Sequence, residues 1–93
     1  MKKYEVMYII RPTLEESDRN NLIAEVNKVF SDNGSTVLEV KEWGLRELAY
    51  EIEKETKGYY VLLNVEATVE AVNEFTRVAN LNESIIRHIV VAQ

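Results

Sequence analysis

The sequence predicts an α+β fold with the element order β-α-β-β-α-β. Three observations predict it. Four segments alternate side chains with the period of a strand, two carry apolar residues at helical spacing, and Pro12, Gly34 and a charged turn at 53–57 punctuate them. The chain has 93 residues, 46% of them hydrophobic, so one domain over residues 1–93 with its own core is expected.

Residues 4–11 form the first strand. Tyr4, Val6, Tyr8 and Ile10 share one face, and Glu5, Met7, Ile9 and Arg11 the other. Pro12 ends the strand, because proline has no N–H to give to a ladder. Thr13 and Glu16 have capping-box spacing, Ser17 is a second candidate cap, and a helix is expected to run to about Asp32. Leu22, Ile23, Val26, Val29 and Phe30 form its apolar stripe, and Gly34 takes the usual stop position. Thr36–Ile52 reads as a long strand whose alternation shifts twice. Leu38 and Val40 have one parity, Trp43 and Leu45 the other, and Leu48, Tyr50 and Ile52 return to the first. Each shift implies an extra residue or a bend, with Gly44 the natural bend. After the turn at 53–57, Tyr59, Val61, Leu63 and Val65 alternate in a third strand that forms a hairpin with the second. Thr68 caps a helix over Val69–Leu81, with Val72, Phe75, Val78 and Ala79 inward. Asn80, Leu81, Asn82 and Glu83 turn the chain into a last, nearly all-apolar strand at 85–91.

Right-handed crossovers convert this order into a four-stranded antiparallel sheet with two helices on one face, the ferredoxin-like arrangement. The other face stays open. Met7, Ile9, Tyr60 and Leu62 on it invite a covering partner, although a few exposed apolar residues are normal on any surface.

Composition narrows the function classes. Acidic residues outnumber basic ones 16 to 11, a formal charge of −5. A protein that binds nucleic acid unaided normally carries a basic excess, so this balance favours a basic protein partner or plain solubility. The absence of cysteine removes disulfides and thiolate metal sites, as suits a reducing compartment. Glu5 and Arg11 interrupt the apolar run of a signal peptide, and no run of about 18 apolar residues is present to span a membrane.

Catalytic chemistry finds little support. His88 is the one histidine, and no serine in a nucleophile-elbow context or orienting acid accompanies it, so a structural or surface role is expected. Arg87 beside it faces the opposite way. Glu51, Glu53 and Glu55 alternate at a strand end and offer at most a weak divalent site; a solvated strand end is the plainer reading. Neither a P-loop nor G-x-G-x-x-G occurs. The three glycines fit turn or bend duties. Lys57-Gly58-Tyr59 matches the first three positions of the RNA-stacking strand of RRM domains, but Tyr60, Val61 and Asn64 break the rest. No cofactor, metal or small-molecule substrate is expected.

One segment is more specific. Trp43-Gly44-Leu45-Arg46-Glu47-Leu48-Ala49-Tyr50-Glu51-Ile52 resembles the signature of the bacterial small-subunit ribosomal protein six family. That signature reads Gly, any residue, a basic residue, a polar or charged residue, Leu, Ala or Ser, Tyr, any residue, Ile. Glu53 departs from it, standing where the family prefers a basic or small residue. Tyr4-Glu5, Pro12, Lys54, Gly58, Tyr60 and Arg87 agree, so the resemblance spans essentially the whole chain. It implies a ferredoxin-like fold, no enzyme activity and a place in the small subunit of cytoplasmic ribosomes. It further implies binding to the central domain of 16S ribosomal RNA together with the basic small-subunit ribosomal protein eighteen. An acidic chain paired with a basic one would present a composite surface to phosphate.

On that reading Lys2, Lys3, Arg46 and Arg87 are candidate RNA contacts, and Tyr50 and Tyr60 candidate partner anchors. All but Arg87 have a plainer alternative. Lys2 and Lys3 fit a solvated terminus, Arg46 a cross-strand ion pair with a hairpin glutamate, and Tyr50 and Tyr60 core or sheet-face packing. Trp43 is read first as packing across the bend. A different function would be a ferredoxin-like regulatory domain that dimerises through its sheet and holds a metabolite.

Overall fold

The computed structural model describes residues 1–93 and has the expected order: β1 (Lys2–Ile10), α1 (Glu16–Asp32), β2 (Thr36–Ile52), β3 (Glu55–Ala67), α2 (Val69–Leu81) and β4 (Ile85–Ala92). The sheet runs β2-β3-β1-β4, antiparallel throughout. Val6, Tyr8 and Ile10 of β1 lie opposite Leu63, Val61 and Tyr59 of β3, so these side chains share one face. That face meets Leu22, Ile23, Val26 and Phe30 of α1 and Ala71, Phe75 and Ala79 of α2 in one core. Phe75 is its centre, stacked on Phe30 at 5.6 Å and tilted against Tyr8 at 6.1 Å.

The two helices start differently. Thr68 caps α2, its hydroxyl accepting from the Ala71 N–H at 3.1 Å. The expected capping box of α1 does not form. After Pro12 the chain makes a turn in which the Leu14 N–H donates to the Arg11 carbonyl, and the helix begins only at Glu16. Glu15 takes the cap position without a side-chain bond, and Glu16 and Asp18 supply the favourable negative charge of the first turn. Gly34 follows α1 at φ +70°, the left-handed conformation that glycine adopts without a Cβ clash.

β2 departs most from its pattern. Its register against β3 shifts at Val37/Glu39, at Glu42/Gly44 and between Glu47 and Ile52. The last two are the expected breaks, with Gly44 at φ +84°; the first, around Leu38, is additional. No residue of β2 is buried, and Leu38, Val40, Trp43 and Leu45 are all exposed. The core centres on β1 and β3, and of β2 only Val37 packs against it, half-buried. The hairpin turn is also shorter than 53–57. Only Glu53 (φ 48°) and Lys54 (φ 69°) form it, both in the conformation that a two-residue type I′ turn demands.

Between the helices and β2 sits a polar group that periodicity does not announce. The Tyr59 hydroxyl donates to Glu42 at 2.8 Å, and the Arg19 guanidinium lies 4.0 Å above the Tyr59 ring. The bond to Glu42 raises the Tyr59 pKa.

Candidate interaction site on the open sheet face

The uncovered face carries the other half of each alternation. Met7 and Ile9 of β1 lie opposite Leu62 and Tyr60 of β3, and opposite Ile89 and Arg87 of β4. At one end a segment of β2 covers them. Leu48, Ala49, Tyr50 and Glu51 stand against Thr56 alone, since Glu47 pairs with Lys57 and Ile52 with Glu55. These extra residues arch over the sheet. Under the arch lies a recess of about 180 Å³, with Met7, Ile9, Tyr60 and Ile89 as floor and Leu48, Ala49, Tyr50 and Ile52 as one wall. Arg87 is its only charged lining residue.

Gly58 permits this closeness. It is buried, and a Cβ on it would collide with Ile9 Cγ2 and touch Leu48 Cδ2 at 3.6 Å. Its duty is close approach inside β3, where a turn or bend was expected. Arg11 fixes the far end of the hairpin. Its guanidinium reaches Glu53 at 3.3 Å and Glu55 at 3.4 Å and donates to the Glu83 carbonyl at 3.0 Å. Glu53 and Glu55 are thus engaged with a cation, and no group of three or more metal-ligating side chains forms there or elsewhere. Arg11 was legible only as a strand-end residue, because its partners lie 42, 44 and 72 positions away.

The candidate residues separate into groups. Arg87 donates to the Tyr50 hydroxyl at 2.6 Å, its guanidinium 5.6 Å from the ring centre. Tyr50 is 59% exposed, which removes the core-packing alternative for it. Tyr60 is half-buried in the floor of the recess. Arg46 pairs with Gly58 on the same face. It makes no ion pair with a hairpin glutamate. Its Nε donates to the Trp43 carbonyl at 3.5 Å, and its guanidinium lies 5.3 Å from the Trp43 ring. Trp43 itself is 45% exposed and unpaired in the register shift, and its ring meets Arg46 across Gly44. Lys2 and Lys3 lie at the other end of β1. Lys3 is six residues from Ile9, roughly 20 Å along the strand, and Lys2 projects to the opposite face. His88 lies on the helix side, edge-on to Phe75 and 3.0 Å from Asn80 Oδ1. A larger depression of about 420 Å³ beside the end of α2 is lined by Glu25, Val78, Leu81, Asn82, Glu83 and Ser84, with no cation.

A split β-α-β sheet with one face under helices and the other carrying an apolar recess with a cationic rim defines a ferredoxin-like binding domain. The chain belongs to the ribosomal protein S6 family, whose sequence profile matches residues 3–92. The crystal structure of 30S ribosomal protein S6 from Thermotoga maritima superposes on it with a TM-score of 0.94 at 28% identity, over 99% of this chain and 87% of that one. Its fold is also similar to the C-terminal domain of the MgtC protein from Mycobacterium tuberculosis. That solution structure matches with a TM-score of 0.68 at 14% identity, over 100% of this chain and 88% of that one. Family membership makes the chain a structural, non-enzymatic component of the small ribosomal subunit.

Proposed function

We propose that residues 1–93 act as one domain that binds the central domain of 16S ribosomal RNA as a complex with the basic small-subunit ribosomal protein eighteen. The observation that carries this reading is the open face, where an apolar recess adjoins Arg87 on a chain of net charge −5. An acidic protein gains little from RNA phosphate by itself. Paired with a basic protein it gains on both counts: the apolar floor is covered, and the composite surface becomes positive. Arg87 and Arg46 are the RNA contacts proposed at this end, with Lys2 and Lys3 at the other. Tyr60 is a partner anchor, its ring forming part of the recess floor. The recess is smaller than the roughly 300–1,000 Å³ of small-molecule sites, which weighs against a metabolite held on this face.

The test is affinity for a central-domain RNA transcript, measured for the chain alone and with the purified partner. The expected result is poor binding alone and at least tenfold tighter binding of the mixture. Equally tight binding without the partner overturns the cooperative mechanism.

A further inference from the structure

Tyr50 and Arg87 belong to opposite edges of the sheet. Tyr50 lies on β2 and Arg87 on β4, with β3 and β1 between them, so three strand spacings of about 4.8 Å separate their strands. Their contact exists only because the extra residues of β2 arch across the open face. The 2.6 Å bond uses one of the five N–H donors of Arg87 and leaves the others free. Both side chains are otherwise exposed. An exposed arginine samples many rotamers, and binding must immobilise it; one already tied to a rigid aromatic loses less.

We propose that Tyr50 is a positioning residue for Arg87: its hydroxyl holds the guanidinium in the conformation in which the remaining N–H groups meet an RNA phosphate. Tyr50 then contributes to RNA affinity through Arg87 and not as an independent anchor for a protein partner. This rests on the reading of Arg87 as an RNA contact. Arg46, by contrast, bonds the Trp43 carbonyl of its own strand and has no such tether from another strand.

The experiment is a double-mutant cycle with Tyr50→Phe, Arg87→Ala and the double variant. Affinity for the central-domain transcript is read in the presence of the partner over a range of salt concentrations, with melting temperature as the folding control. Tyr50→Phe keeps the ring and removes the bond. It is expected to weaken binding roughly twofold to tenfold, as freeing one side chain should, with the salt slope unchanged. Arg87→Ala is expected to weaken binding and to reduce the salt slope by about 0.7–0.9, the value for one phosphate. The double variant should bind no worse than Arg87→Ala. If Arg87→Ala weakens binding and Tyr50→Phe does not, the positioning role is overturned while the RNA contact stands. If the two losses multiply, Tyr50 acts independently and the proposal also fails. If Arg87→Ala binds like the parent with an unchanged slope, the contact reading fails, and this proposal with it.

Discussion

Tyr8 is the largest fully buried side chain, and its hydroxyl has no hydrogen-bond partner in the protein. Burial, with the charge of Glu42 as a lesser cause, pushes its pKa well above the ordinary 10.0. The direction fixes the pH dependence. The folded state keeps its phenol proton where the unfolded chain has lost it. The stability that this group contributes is therefore complete below about pH 10 and declines as pH rises above it. Tyr8→Phe removes both the unpaired hydroxyl and this decline. It should leave neutral-pH stability unchanged or raise it by about 1 kcal/mol and flatten the alkaline loss, as urea melts at pH 7 and pH 11 will read. A neutral-pH loss above about 1 kcal/mol would mean that the hydroxyl is well satisfied. The place of Tyr8 on the helix face was legible from alternation, since Val6, Tyr8 and Ile10 share it. Its missing partner was not, because a partner's absence depends on what other elements bring near.

At the scale of elements, alternation told which face a residue of β1 or β3 points to, but it missed the shift at Leu38 in β2 and did not tell how far the helices reach over a face. Tyr59, Val61, Leu63 and Val65 of β3 follow the expected side. Leu38, Val40, Trp43 and Leu45 of β2 carry equally strong patterning and remain exposed, because β2 is the sheet edge. The cap of α2 was legible because Thr68 directly precedes a clean helical stripe. That of α1 was misread because the turn after Pro12 uses up residues before the helix begins. The arch was legible as a parity break, yet its contact with Arg87 was not: the two residues are 37 positions apart and meet only across the assembled sheet. Gly58 holds this arrangement together, and Gly58→Ala puts its Cβ against Ile9. Overpacking there should destabilise the fold by about 1–3 kcal/mol and loosen the arch, measurable as a lower melting temperature with faster amide exchange at residues 48–52. An unchanged melting temperature would show that Ile9 can yield freely.

The molecule as a whole presents two unlike faces of one sheet. One is consumed in the core with both helices. The other keeps an apolar floor, an arch and Arg87, on a chain whose net charge of −5 opposes RNA unless a basic partner intervenes. On the proposed function this open face seats that partner. Ile89, 45% exposed in the recess floor, reports on it directly. The decisive measurement is the dissociation constant of the complex between this chain and small-subunit ribosomal protein eighteen, for the parent and for Ile89→Asp. A carboxylate buried against an apolar surface should weaken the complex at least tenfold, while the melting temperature of the free chain changes little. Equal affinity of the two chains for the partner, with both folded, would mean that the partner does not dock on this face.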